Sequence, residues 1–179
     1  MLVDPEIVGS RVGIASTMCT GVIAILMSFA PKLPWLIYNA SGSAPLGFYY
    51  VQRRLPLPGE LAVFEPPPAI ELVIIAHRVL PAAVPLLKQI AAAGGDEVCR
   101  ANEPVGTISI NGKVIAEVLE KDEEGRPLPT WEGCMRLVEG EFFLLQPHPR
   151  SFDSRYFGPV LGCDILGVAH PLWTWNPDI

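Results

Sequence analysis

Hydrophobic and polar positions divide the chain into two parts that follow different rules. Residues 12–30 are 19 consecutive positions without a charge, and as a helix they reach about 28 Å, close to the hydrocarbon thickness of a bilayer. Beyond residue 31 the apolar runs become short and are punctuated by Pro, Gly and Asn. Residues 48–54 alternate loosely and end at the turn Leu55-Pro56-Leu57-Pro58-Gly59. Residues 61–64 are a compact apolar run closed by Pro66-Pro67-Pro68, and residues 70–79 a β-branched one carrying Glu71, His77 and Arg78. Residues 86–93 fit strand or helix, since Ala favours helix while Pro85 and Gly94-Gly95 bound the run tightly. Residues 97–100, 107–110, 113–116, 142–146 and 166–169 read as further strands, with Asn111-Gly112 a two-residue hairpin turn. Residues 121–126 are a charged loop. Many short strands at turn spacing predict a mainly β body, a barrel or paired sheets, preceded by one N-terminal helix.

The first apolar segment admits three readings. A cleavable leader would end near Ser28-Phe29-Ala30, but Pro31 follows at once and is unsuited to the extended backbone that cleavage needs. A buried soluble helix is the second. An uncleaved anchor fits best, with Lys32, Trp35 and Tyr38 at the interface. The chain is therefore read as a short tail (1–11), a transmembrane anchor (12–30) and one further domain (31–179). Arg11 and Lys32 nearly balance, so charge bias leaves the orientation open.

Composition narrows the function classes. The net charge of −6 argues against a nucleic-acid surface, which needs a clustered basic face. The 19 prolines and 16 glycines are dispersed, as turns in a β-rich body would be. None of the four cysteines forms a Cys-x-x-Cys pair and the three histidines are scattered, a poor basis for zinc. Cys19 lies in the apolar segment. In an oxidising compartment one disulfide among Cys99, Cys134 and Cys163 is expected, with Cys99–Cys134 the first choice because the two bracket a polar excursion.

Candidate chemistry begins at residues 39–49, a turn-rich run around Ser41 and Ser43 with Pro45 and Gly47 behind them. A serine on such a turn presents its hydroxyl, and neighbouring amides can face a developing oxyanion. It needs a base. His148 is wedged between Pro147 and Pro149, His170 abuts Pro171, and His77 lies in an apolar run where a packed imidazole is expected. Lys88 is the alternative, alone among Leu86, Leu87, Ile90 and three alanines. Apolar burial lowers an amine's pKa, and service as a base near neutrality needs a fall of about 3 from the usual 10.4, about 4 kcal/mol. Asp153 and Arg155 are two apart and would pair on one face of a strand, with Ser151 beside them to orient the amine.

Taken in order, Ser41-Gly42-Ser43-Ala44-Pro45, residues 58–64, Lys88-Gln89-Ile90 leading to Gly95-Asp96-Glu97-Val98, and Asp153-Ser154-Arg155-Tyr156-Phe157-Gly158 resemble the blocks of type I signal peptidases. The Ser-x-Pro-x-Gly-x-Tyr spacing after Asn39 looks most like the plasmid-transfer branch, the TraF-type conjugative peptidases. Two departures from general signal peptidases point the same way. Ser43 is followed by Ala44 and then Pro45, where those enzymes have Met, one more residue, then Pro; and Gln146-Pro147-His148-Pro149-Arg150 replaces their Gly-Asp-Asn-Arg run.

The resemblance implies a serine endopeptidase with a Ser/Lys dyad, anchored in the bacterial cytoplasmic membrane with its domain in the periplasm. It puts Ser43 at the nucleophile, Lys88 at the general base, and Ser41 with the Ser43 amide at the oxyanion. Ser151 takes the position that orients the lysine, and Asp153 with Arg155 the supporting acidic position and its partner. Neither metal nor cofactor is needed. The implied partners are membrane lipid, other conjugative transfer proteins and a precursor substrate, with no nucleic acid. Branch members process the conjugative pilin precursor, and some close it into a ring. General preprotein processing and a non-catalytic, anchored component of the transfer apparatus are the alternatives.

Overall fold

The computed structural model describes residues 36–101 and 106–176. The expected anchor over residues 12–30 lies outside them, and no helix among the described residues is long and apolar enough to cross a membrane. Among the described residues are eleven strands, two short α-helices and one 3-10 turn: β1 (Leu36–Asn39), β2 (Leu46–Gln52), β3 (Leu61–Phe64), α1 (Pro68–Ala76), β4 (Leu86–Ala93), β5 (Glu97–Ala101), β6 (Thr107–Ile110), β7 (Lys113–Glu117), β8 (Gly133–Arg136), β9 (Glu141–Leu144), α2 (Ser154–Phe157), β10 (Val160–Leu161), the 3-10 turn (Gly162–Asp164) and β11 (Ile165–Trp175). The expected mainly β architecture is present as paired sheets. One has seven strands in the order β1-β2-β11-β3-β4-β9-β10, the other four in the order β7-β6-β5-β8.

Every strand pair is antiparallel. The last strand, β11, ties the large sheet together: Ile165, Gly167 and Val168 pair with β3, and residues from Val168 onward pair with β2. Its register slips between Pro171 and Trp173, where proline has no N–H to offer the ladder. On the other side Ala62 of β3 faces Lys88 of β4. Residues of β4 alternate between two apolar clusters. Leu86 and Ile90 join the larger one with Phe64, Phe143, Leu144 and Phe152; Leu87 joins the smaller with Ala44, Tyr49, Val51, Val63 and Ala169.

The small sheet carries the expected hairpin and disulfide. Asn111 and Gly112 both have positive φ, 50° and 79°, as the tight turn between β6 and β7 demands. Cys99 of β5 is bonded to Cys134 of β8, its direct cross-strand partner, and Cys163 is free and exposed.

Two readings are corrected, and one left open is settled. The apolar run of residues 70–79 is helix over Pro68–Ala76, with proline in its first turn. That position suits proline, whose missing N–H is unpaired there anyway, and a short apolar run does not reveal its own period. The ambiguous run at 86–93 is strand over its full length. Asp153 and Arg155 share a helix start, not a strand: Asp153 caps α2 by accepting from the Arg155 N–H. Edge strands β1, β8 and β10 carry too few alternating positions to be read from pattern.

Candidate active site

The nucleophile candidate sits on the turn between β1 and β2. Asn39, the last residue of β1, pairs with Gly47, the second of β2, so residues 40–46 must reverse direction within a short arc. Gly47 is required there: its φ is 131° and a Cβ would stand 2.1 Å from the Trp173 carbonyl oxygen. Ala44 is buried beneath the turn and the Tyr49 hydroxyl donates to the Pro45 carbonyl at 2.7 Å. Asn39, buried at 8% exposure, binds the same turn with its side-chain amide. Ser41 and Ser43 are half-buried on the outer curve, their Oγ atoms 3.5 Å apart.

Lys88 enters from the middle of the large sheet. It is 3% exposed. Its Nζ donates to Ser151 Oγ at 2.6 Å and lies 3.4 Å from Ser43 Oγ. Burial lowers its pKa to about 8; the nearby Asp153 carboxylate pulls it back up and the Arg155 guanidinium pushes it down. At pH 7 about a tenth of such amines are neutral, against fewer than one in a thousand at an ordinary lysine.

A buried polar frame stands behind the amine. Asp153 and Arg155 are 0% and 1% exposed and form a two-point pair: Arg155 Nε to Asp153 Oδ1 and Nη2 to Oδ2, each 2.9 Å. Remaining guanidinium donors reach the carbonyls of Gln146 at 2.7 Å, His148 at 3.0 Å, Pro149 at 3.3 Å and Glu117 at 3.4 Å. Asp153 Oδ2 also accepts from the Gln146 N–H, while Ser154 Oγ accepts from the Leu144 N–H. The ion pair thereby sets the path of residues 146–150, and Ser151 follows directly. No buried side-chain nitrogen or oxygen among the described residues lacks a hydrogen-bond partner, which such a buried network requires.

All six residues expected from sequence thus belong to one site: Ser41, Ser43, Lys88 and Ser151 in contact, Asp153 and Arg155 behind them. Pairing of Asp153 with Arg155 holds, although a helix cap makes it. His77 is committed elsewhere; its Nδ1 is 2.9 Å from Asp122 Oδ2 and its ring stacks on Phe152. Two participants were given no role from sequence. One is Asn39. The other is Gln146, whose side chain donates to the Leu87 carbonyl and ties the 146–150 loop to the lysine's strand. Neither carried a pattern signal, since buried amides next to turns look like ordinary loop residues.

Ser43 borders two hollows. One, of about 120 Å³, is lined by Ser41, Ser43, Leu86, Lys88 and Ser151. The other, about 450 Å³, runs past Ala44, Leu61 and residues 146–149. A third, of about 440 Å³ around His77 and Asp122, adjoins the first through Val79, Arg150 and Phe152. The arrangement presents a hydroxyl, an amine able to lose its proton near neutrality, and apolar grooves on which a peptide can lie.

Comparison with known proteins gives the family. The model of the signal peptidase family, peptidase S26, matches residues 10–175. A plasmid transfer protein TraF of Escherichia coli is 31% identical over 166 residues, covering 87% of this chain and 92% of that protein. A conjugal transfer protein TraF of Agrobacterium fabrum is 31% identical over 150 residues, covering 78% and 82%. A crystal structure of a signal peptidase I from Enterococcus faecalis aligns with 65% of this chain and 98% of its own, at 21% identity and a TM-score of 0.37. The chain belongs to the S26 signal peptidase family, in its TraF-type branch.

Proposed function

We propose that the protein is a membrane-anchored serine endopeptidase that works through a Ser43/Lys88 dyad and processes the conjugative pilin precursor during plasmid transfer. In this reading residues 12–30 hold it in the cytoplasmic membrane and the peptidase domain faces the periplasm. The observation that carries the dyad is the buried Lys88 amine, 3.4 Å from Ser43 Oγ and 2.6 Å from Ser151 Oγ. Its substrate and setting are supported by the TraF-type relatives, which are named for plasmid and conjugal transfer.

Neutral Lys88 takes the Ser43 proton as Oγ attacks the scissile carbonyl. The Ser43 N–H and the Ser41 hydroxyl stabilise the tetrahedral oxyanion. As the C–N bond breaks, the Lys88 ammonium returns its proton to the leaving amine, leaving an ester on Ser43. Water then attacks the ester with Lys88 again as base, and Ser43 Oγ leaves as the restored hydroxyl. Should the N-terminal amine of the fragment held on Ser43 attack the ester instead, Ser43 Oγ leaves and the product is a ring. Ser151 keeps the amine aimed along this path, and the Asp153–Arg155 pair holds Ser151.

The test sets wild type, Ser43→Ala and Lys88→Ala against a pilin precursor and a secretory preprotein, with product masses as readout. Cleavage of the pilin precursor by wild type, and a loss of about 10³-fold or more in both variants, is expected. Full processing by both variants leaves only a non-catalytic component of the transfer apparatus. Preference for the secretory preprotein makes the enzyme a general signal peptidase. A product one water lighter than the linear one marks ring closure.

A further inference from the structure

We propose that Asn39 is the positioning residue of the nucleophile turn, fixing its backbone and holding the Ser41 hydroxyl in a standby orientation; this rests on the Ser43/Lys88 reading above. All of its side-chain polar atoms are spent on the turn. The two N–H bonds of Nδ2 are shared among three carbonyl oxygens, those of Ser41 at 3.0 Å, Ala44 at 3.1 Å and Pro45 at 3.0 Å. On the other side Oδ1 accepts from the Ser41 N–H at 3.1 Å and from the Ser41 hydroxyl at 2.7 Å. The amide cannot be turned round. Reversal sets its oxygen against three carbonyl oxygens and its NH₂ against an N–H donor, which a buried group does not tolerate.

Side-chain chemistry explains why asparagine stands here. The turn offers a cluster of acceptors on one side and two donors on the other, and a primary amide supplies both within one planar group. Serine or threonine brings one donor. Aspartate brings none when ionised and faces three carbonyls. Asn39 is also the residue where β1 ends against Gly47, so its position is set by the sheet, and the sheet's rigidity passes through it to the residues around Ser43.

The second consequence concerns the oxyanion donor. In this arrangement the Ser41 proton points at Asn39 Oδ1, not at the space beside Ser43. Ser41 must therefore rotate its O–H from Asn39 to the oxyanion as negative charge develops, while its oxygen stays where the Asn39 contacts placed it. Asn39 touches no reacting atom. It acts through Ser41 and through the turn.

The experiment uses the full-length protein in detergent micelles and a fluorogenic peptide spanning the cleaved bond, with Ser43→Ala as blank. Asn39→Ala is expected to lower kcat by about 10²-fold with KM within about 3-fold, the effect of losing alignment or one oxyanion donor. In combination with Ser41→Ala the loss should fall short of the product of the two single losses, because part of what Asn39 does is done through Ser41. Asn39→Asp gives a readout that a merely structural role would not move. Its carboxyl fits the three carbonyls only when protonated, and burial against those oxygens raises its pKa above the usual value of about 3.9, so its kcat relative to wild type should decline as pH rises from 5 to 9. If Asn39→Ala does not fold, Asn39→Asp carries the test alone at acidic pH. An Asn39→Ala enzyme within 3-fold of wild-type kcat overturns the proposal, as does an Asn39→Asp enzyme whose profile parallels wild type. Those results leave the dyad standing, whereas a Ser43→Ala protein as active as wild type removes the dyad and this role with it.

Discussion

Lys88 Nζ lies 3.4 Å from Ser43 Oγ across 45 residues of chain. Strands β2 and β4 are three steps apart in the large sheet, about 14 Å if it were flat. The approach therefore needs a coiled sheet and a turn folded back over its face. The sheet supplies a dry wall for the amine, and the β1–β2 turn brings the hydroxyl to it.

Activity should rise with pH through about 8, because acylation needs neutral Lys88 and its pKa is lowered to that value by burial. Below it, each unit of pH should cost about tenfold in kcat/KM. Profiles on a short peptide substrate check this, and a rate independent of pH between 6 and 8 would exclude Lys88 as the base.

Asp153→Asn should move that limb to lower pH, since the Asp153 charge raises the Lys88 pKa and the Arg155 charge, left uncompensated, lowers it. Loss of the carboxylate also leaves Arg155 buried with part of its pairing gone, expected to cost about 3 kcal/mol of folding stability. Urea unfolding reads the second effect and the pH profile the first. A limb shifted to higher pH refutes the electrostatic account.

Lys88→Met should abolish activity and raise stability at neutral pH by up to about 3 kcal/mol. The sign follows from linkage. Folding lowers the Lys88 pKa from 10.5 to about 8. Below pH 8 both folded and unfolded chains carry the proton, and the full burial penalty applies. Between 8 and 10.5 the unfolded chain binds more protons, so wild-type stability rises with pH. The methionine variant should lack that rise, and equal slopes for the two proteins across pH 8 to 10 would show that the amine is not desolvated.

Cys99→Ser with Cys134→Ser should cost about 3–4 kcal/mol by the chain-entropy account for a separation of 35 residues. Both cysteines lie in the small sheet, so kcat on a peptide should stay within a few-fold while denaturant midpoints fall. A loss of kcat larger than the loss of folded protein would tie the disulfide to the site itself.

Gly47→Ala meets the Trp173 carbonyl at 2.1 Å and a φ of 131°, so it should destabilise by about 2 kcal/mol or more. Because Gly47 pairs with Asn39, kcat should fall as well. Thermal unfolding with wild-type midpoint and amplitude would mean that the turn relaxes freely.

Features of short range were legible in the chain. Alternation and turn residues announce the strands, Asn111-Gly112 the hairpin between β6 and β7, and an isolated lysine in an apolar run the position where a pKa falls. Spacing also put Asp153 beside Arg155, although a helix cap and not a strand makes the pair. Helix α1 shows the limit: its apolar, β-branched run suits a strand, and docking Ile74 into the core while leaving Leu72 and Ile75 exposed decides otherwise. Only the tertiary structure decides that Ser43, Lys88 and Ser151 meet, that Asp153 and Arg155 are sealed from water, and that Asn39 faces three carbonyls and two donors of one turn. The reason is physical. Period and turn preference act over a few neighbouring residues, whereas burial, register and the convergence of distant backbone groups exist once the sheet has closed around them.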